Sequence, residues 1–307
     1  MTLHTSRSDH TKPKLLVVLG PTAVGKSDLA VELALRFNGE VISADSRQVY
    51  KQLDIGTGKI TKKEMKKVPH HLLDVVSAKK VFSVSDFQKK AMSAADDIIS
   101  RGKLPILCGG TGFYIQSLVD GVVLPEVPPN EALRKKLSKK SAEKLYDMLL
   151  KIDQERAADI DKHNPVRLIR AIEIAKALGR VPKAVYNSPF STLQIGLDIS
   201  DELLKAKIHK RLLARLKKGM LKEAQNLHAA GLSWKRMEML GLEYRYMALF
   251  LQKKISKQEM IERLTFDIWH YAKRQRTWFK RDARIKWFSP TPKDLKKISK
   301  EVKDFLK

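Results

Sequence analysis

The apolar run LLVVL at residues 15–19 breaks into the glycine-rich GPTAVGKS, and the DLAVELALRF that follows carries apolar residues at helical spacing. A short unbroken apolar run predicts a strand buried on both faces, and the rhythm after the turn predicts a helix over 27–37. EVISAD at 40–45 predicts a second strand, ending on an acid. SVSDFQKKAMSAADDIISRG predicts a helix, opened by a Ser83-to-Asp86 capping pattern and closed at Gly102. LPILCGG at 104–110 predicts a third strand that enters another glycine turn. Strand and helix alternating through glycine-rich crossovers predict a parallel sheet covered on both faces.

The rhythm changes at the proline-rich LPEVPPN of residues 124–130. Residues 131–180 offer only helical segments, among them EALRKKLSKK, AEKLYDMLLKI and PVRLIRAIEIAKALG, and RVPKAVYNSPFST has loop composition. LQIGLDIS then returns to strand composition. The chain thus divides into a discontinuous core domain, residues 1–121 and 194–307, and a helical insertion domain over 122–193. Helices over 201–217 and 219–230, a long helix over 256–281, a strand at IKWFS and a lysine-rich last helix complete the pattern. In the long helix Ile261, Leu264, Ile268 and Trp269 recur at core spacing, and Trp278 extends the series.

No stretch approaches the ~20 consecutive apolar residues that span a bilayer. The fourteen leading residues, MTLHTSRSDHTKPK, are polar, and the apolar run behind them reads as a core strand and not as a signal peptide. The single cysteine, Cys108, reads as a small core hydrophobe and excludes an internal disulfide. Together these features predict a protein of the reducing cytoplasm. Sixty Lys and Arg against 34 Asp and Glu leave a formal charge of +26. Such a surplus attracts polyanions at long range.

Gly20-x-x-x-x-Gly25-Lys26-Ser27, set between a strand and a helix, is a phosphate-binding loop in the context it requires. Its glycines let backbone N–H groups wrap a phosphate, and the helix N-terminus adds its positive end. Lys26 supplies a mobile ammonium, and Ser27 offers its hydroxyl to Mg²⁺. The fold class that follows is α/β: a P-loop NTPase-like parallel sheet flanked by helices, with an all-helical insertion. The loop does not name the owner of the phosphate. Asp45, at the end of the second strand, reads as a kinase-type metal ligand, as an acid–base group beside the phosphate, or as the cap of a helix beginning at Ser46.

The chain resembles the tRNA dimethylallyltransferases, also called tRNA isopentenyltransferases, in their bacterial form. The resemblance covers nearly all of it and rests on seven motifs in order: LGPTAVGKS, ISADSRQVYKQLDIGTGK, VPHHLLDV, FSVSDF, GGTGFYIQSLVDG, NPVRLIRAIEI and YAKRQRTWF. It implies transfer of the dimethylallyl group from dimethylallyl diphosphate to N6 of adenosine 37 in the anticodon loop. That chemistry calls for stabilisation of the departing diphosphate, removal of an N6 proton and exclusion of water. By the resemblance, the loop Gly20, Pro21, Thr22, Ala23, Val24, Gly25, Lys26 and Ser27 holds the diphosphate of the donor, with Thr22 among the catalytic groups. Asp45 would be the general base, and Arg211 would fork onto the leaving diphosphate. Asp45, Ser46, Arg47 and Gln48 would meet the everted adenosine. Thr111, Arg134 and the tract Val166, Arg167, Leu168, Ile169 and Arg170 match further tRNA-contacting positions. Arg215 stands where relatives usually carry methionine.

HYAKRQRTWFKRDARIKWF at 270–288 carries seven Lys or Arg and one acid, Asp282, interleaved with aromatic residues. Cations pair with phosphates, and flat side chains stack on unpaired bases. Lys273, Arg274, Gln275 and Arg276 are therefore assigned to an RNA-facing surface. His70 and His71 are adjacent on a strand and point to opposite faces, so one metal ion would not take both. A P-loop kinase using ATP and a prenyltransferase acting on free adenine nucleotides share parts of this pattern. The kinase reading does not explain DSRQVY, NPVRLIR or the basic C-terminal tract, and a free nucleotide needs no such tract; a non-catalytic RNA-binding protein with a relict loop is at odds with the intact Lys26, Ser27 and Asp45. Nothing in the sequence marks a protein–protein interface, and a monomer is expected.

Overall fold

A computed structural model describes residues 12–307; the first eleven residues of the polar leader lie outside the described residues. Six parallel strands form one sheet in the order β3-β2-β4-β1-β5-β6. They are β1 (Lys14–Leu19), β2 (Gly39–Ala44), β3 (His70–His71), β4 (Leu104–Gly109), β5 (Ser191–Leu197) and β6 (Ile285–Phe288). The central strand β1 pairs with β4 on one side and β5 on the other, so that Leu16 stands between Ile106 and Leu193. Its residues alternate between two cores. Leu16 and Val18 face one, Leu15, Val17 and Leu19 the other, which explains the unbroken apolar run.

On the first face lie α1 (Lys26–Arg36), α8 (Asp201–Lys217), α9 (Met220–Ala229), α11 (Leu242–Leu251), α12 (Lys257–Phe279) and α13 (Pro292–Leu306). The second face is covered by α2 (Val84–Ser100) and α3 (Gly112–Val119). The expected Ser83 capping box is present, with Ser83 Oγ accepting from Asp86 N–H at 3.1 Å. The pattern of residues 231–255 predicted no helix. There α10 (Trp234–Glu238) and α11 are held by Met237, Tyr244 and Met247, all buried.

Residues 122–187 form a separate compact unit. It comprises α4 (Glu131–Leu137), α5 (Ala142–Ile152), α6 (Gln154–Asp159) and α7 (Pro165–Leu178) around Leu137, Leu145, Leu149, Leu168 and Ile172. Asn130 and Asn164 cap α4 and α7 through their side-chain oxygens. The other unit resumes at Ser188, six residues before the expected boundary at 194. Loop composition hid the join. Phe190 is buried in the second core, Ser188 Oγ donates to Val119 O at 2.8 Å, and Ser191 already pairs with Lys14.

At the amino end of the sheet Glu40, 1 % exposed, gathers Arg101 at 2.5 Å, His71 at 2.7 Å and Lys103 at 2.8 Å. The Arg101 guanidinium, aided by Lys103 and His71, holds this carboxyl well below the usual carboxylate range despite its burial. Glu40→Ala should lower stability at pH 7 by about 2 kcal/mol, since three cations lose their common partner. A depressed carboxyl pKa contributes in full above the unfolded value of about 4 and is lost as pH falls below it. The gap in melting temperature between wild type and variant should therefore shrink from pH 7 to pH 3, and an equal gap at both would contradict the ionic role.

Candidate active site

Neighbouring strands β1 and β4 send their connections to opposite sides of the sheet, and such a switch point leaves a crevice at the carboxyl ends. The phosphate-loop residues Gly20–Ser27 leave β1 there. Gly20 has φ +140°, and a Cβ on it would lie 2.3 Å from the Leu197 carbonyl oxygen at the end of β5, so only glycine fits. Ala23, at φ +66°, and Gly25, at φ +98°, turn the loop through left-handed conformations into α1. Pro21 and Val24 are buried, Thr22 and Lys26 half-buried, and Ser27 exposed in the first turn of α1.

Lys26 Nζ donates to the Pro21 carbonyl at 2.6 Å. Burial lowers its pKa to about 8; Cys108 and Asp45 oppose the shift, and Arg211 adds to it. Lys26, Asp45 and Arg211 are thus within electrostatic reach of one another. Cys108, whose thiol burial pushes up to about 12, is the core hydrophobe expected.

Asp45 follows β2 directly, half-buried. Its Oδ1 accepts the N–H groups of Arg47 at 2.8 Å and Gln48 at 3.3 Å, which caps a turn over 46–49 and not a helix. Its Oδ2 makes no hydrogen bond among the described residues. The adjoining Ser46 N–H donates to Thr111 Oγ1 at 3.0 Å, tying this turn to the end of β4. One carboxylate oxygen is thereby fixed by backbone while the other stays available to accept a proton.

Arg211 projects from α8, and its Nη2 donates to Gly58 O at 3.1 Å. Burial, and then Arg215, lower its pKa. Arg215 donates to Gly56 O at 2.7 Å and meets Glu243 at 3.2 Å. The segment they grip is clamped from α9. Glu223 accepts the N–H groups of Asp54 at 3.0 Å, Ile55 at 2.7 Å and Gly56 at 2.9 Å, and the Tyr244 hydroxyl at 2.6 Å. Lys59, beneath the same segment, bridges Asp54 and Asp74 at 2.6 Å each. Sequence reasoning missed Glu223, Tyr244 and Lys59. The only signal was the glycine pair at 56 and 58, which marks close backbone approach.

Several sequence assignments need correction. Gln275 is 6 % exposed and lies behind the phosphate loop, where its amide meets Thr22 N–H and Gly110 O, so it is not part of an exposed RNA surface. Arg276 is turned inward to Asp198 at 2.7 Å, Asp201 and the Ile199 carbonyl, so its charge is spent inside the protein. Lys273 and Arg274 are exposed on the outer face of α12. In the helical unit Leu168 is fully buried core, whereas Val166 and Arg167 are exposed and Ile169 is half-buried. Arg134 forks onto buried Glu173 at 2.9 and 2.8 Å, and Arg170 shares that carboxylate. Although burial alone would raise its pKa, the Arg134 guanidinium, the Asn130 N–H and Arg170 hold Glu173 at about 2. Arg134 is therefore held by an ion pair to a buried carboxylate while its side chain stays partly exposed.

His70 Nδ1 lies 2.9 Å from Val68 O and His71 Nε2 faces Glu40, so each ring has a protein partner of its own. No group of three or more His, Cys, Asp and Glu suited to a metal ion occurs among the described residues. Ser27 remains as a hydroxyl donor, which suits a cation whose other ligands are phosphate oxygens and water. A cavity of about 490 Å³ near Trp278, Asp282 and Arg284 is lined by none of Lys26, Asp45 or Arg211. No helix among the described residues is long and apolar enough to cross a membrane.

The model of the IPP transferase family matches residues 48–282. A tRNA dimethylallyltransferase 2 of Treponema denticola is 45 % identical over 286 residues, covering 90 % of this chain and 96 % of the relative. A tRNA dimethylallyltransferase of Staphylococcus haemolyticus is 39 % identical over 308 residues, covering 96 % and 92 %. Among solved structures, the full-length tRNA isopentenylpyrophosphate transferase of Bacillus halodurans superposes with a TM-score of 0.74 at 36 % identity, covering 95 % of this chain and 96 % of its own. A eukaryotic dimethylallyltransferase crystallised acting on tRNA gives a TM-score of 0.76 at 30 % identity, over 87 % of this chain and 69 % of its own.

The lowered pKa of Lys26 sets a pH dependence. An anion in the loop favours the charged ammonium, which the empty loop loses as pH rises through about 8. Affinity for inorganic diphosphate, measured by titration calorimetry, should fall above pH 8 by up to about ten-fold per pH unit relative to a Lys26→Met variant. Parallel profiles for the two proteins would contradict the assignment.

Proposed function

The chain belongs to the IPP transferase family, whose members compared above are tRNA dimethylallyltransferases, and from that membership we propose the following reaction for it. The protein transfers the dimethylallyl group of dimethylallyl diphosphate to N6 of adenosine 37 in the anticodon loop of tRNA. The diphosphate lies in loop 20–27, against Lys26 and Thr22. Attack by N6 on C1 of the prenyl group forms the C–N bond as the C1–O bond breaks, and the diphosphate leaves with the electron pair. Asp45 takes the N6 proton on its open Oδ2. Arg211 turns from the Gly58 carbonyl to the departing diphosphate, whose two negative oxygens outbid one neutral carbonyl. The observation that carries this reading is the convergence of Lys26, Arg211 and a half-free Asp45 at the carboxyl edge of the sheet.

A Mg²⁺ ion bound by Ser27 and the donor's oxygens would neutralise diphosphate charge. The acceptor must present an unstacked purine, which a tRNA loop supplies at low cost. Ser46, Arg47 and Gln48, on the turn that Asp45 caps, would receive that base, with Thr111 bracing the turn. Lys273 and Arg274 on α12, and Val166 and Arg167 on α7, are the exposed members of the assigned tRNA-contacting positions. The protein works in the cytoplasm as a monomer, where unmodified tRNA is available.

Asp45→Asn should lower the rate of prenyl transfer to unmodified tRNA by about a hundredfold or more, while the dissociation constant for dimethylallyl diphosphate stays within about two-fold of wild type. Near-normal turnover would remove Asp45 as the base, and turnover of ATP without prenyl transfer would remove the proposed reaction. Arg274→Ala should weaken tRNA binding and reduce the slope of log K against log salt by about one unit. An unchanged slope would mean that Arg274 meets no phosphate.

A further inference from the structure

Gln275 joins two pieces of backbone, the phosphate loop and the turn after β4, through the two ends of one side-chain amide. Its Oε1 accepts the Thr22 N–H at 2.8 Å, and its Nε2 donates to the Gly110 carbonyl at 2.7 Å. An N–H can only donate and a carbonyl can only accept, so these two partners fix which end of the amide is which. The approach is close by construction: a Cβ on Gly110 would lie 2.3 Å from Gln275 Nε2 and 3.5 Å from the Gly20 carbonyl oxygen. The residue after Thr22 is Ala23, a non-glycine held at φ +66°. Such a conformation persists only where the surroundings over-determine it.

We propose that Gln275 is a positioning residue for the donor loop: its buried amide pins Thr22 to the β4 turn and holds the loop in its anion-receiving shape before any donor arrives. The amide gives the half-buried Thr22 N–H a fixed partner, and it anchors the chain immediately ahead of the left-handed residue. Loop N–H groups turned by left-handed residues form an anion-binding concavity, and a preset concavity binds without first being ordered. Glutamine alone suits the position. Glutamate has no donor for Gly110 O, methionine matches the length but makes neither bond, and asparagine is one methylene too short to span the gap. Gln275 also follows directly on Lys273 and Arg274, so the helix that carries exposed cations on one face supports the donor loop with the other. The proposal rests on loop 20–27 being the donor's diphosphate site.

Gln275→Met keeps the volume and removes both hydrogen bonds. With a melting temperature near that of wild type, it should raise the KM for dimethylallyl diphosphate and the Kd for inorganic diphosphate about ten-fold. The Kd for tRNA should not change. Wild-type donor constants, or equal losses for donor and tRNA, would overturn the proposal, because filling space or general loosening would then suffice. If the methionine variant does not fold, hydrogen exchange at Thr22 in the unaltered protein decides. The ligand-free protein should protect this amide strongly, and exchange at the rate of an open loop would overturn the proposal. The exchange and inorganic diphosphate measurements involve no prenyl transfer, so they can fail independently of the proposed reaction.

Discussion

The two-sided pairing of β1 is the constraint on which the site depends. Because β1 is flanked by β4 and β5 in parallel register, the ends of all three strands arrive at one edge of the sheet. Gly20 there passes so close to the Leu197 backbone that no side chain fits, and the Gln275 amide packs against Gly110. A loop held this tightly from behind can keep its amides turned toward an anion without first paying to order them. Asp45 arrives at the same edge because β2 pairs with β4, and its turn is braced by Thr111, just past the end of β4.

Charge works differently in different parts of the molecule. The surplus of +26 is large, yet many arginines are occupied inside it: Arg276 by Asp198 and Asp201, Arg134 and Arg170 by Glu173. Those pairs hold neighbouring segments together and leave the surplus as it is, since their acids are already counted in it. Lys273, Arg274 and Arg167 are among the exposed cations that present this surplus to solvent. At the reacting centre the logic reverses, since Lys26 and Arg211 are half-buried and their partial desolvation strengthens every contact they make with a phosphate. Glu223 does for the loop at 54–56 what Gln275 does for the loop at 20–27, meeting backbone N–H groups from a helix behind.

The strands and the phosphate loop were legible in the sequence because their signals are local: LLVVL before a glycine turn, an acid directly after VISA, a capping box at Ser83. Helix periodicity likewise placed α8, α9 and α12 within two residues of their ends. Exposure within those helices was less legible, because a stretch such as KRQR reads as uniformly polar. Only the packing shows that Gln275 points at Thr22 and Arg276 at Asp198, while Lys273 and Arg274 face outward. Leu168 was drawn into a site tract by its neighbours, although its own apolar side chain belongs to the core of the helical unit. The start of β5 was hidden for a related reason: Ser191 and Thr192 continue the proline-containing NSPF and become strand through pairing with β1. The clamp by Glu223 joins positions 167 to 169 residues apart, a separation no local pattern encodes.

The central claim is that the loop at 20–27 belongs to a prenyl diphosphate, and a crystal structure with dimethylallyl diphosphate bound tests it most directly. The account predicts the diphosphate within hydrogen-bonding reach of Lys26 and the loop N–H groups, with the prenyl chain directed toward Asp45. A donor bound away from Lys26, or an ATP whose γ-phosphate occupies that place in a matched soak, would contradict it.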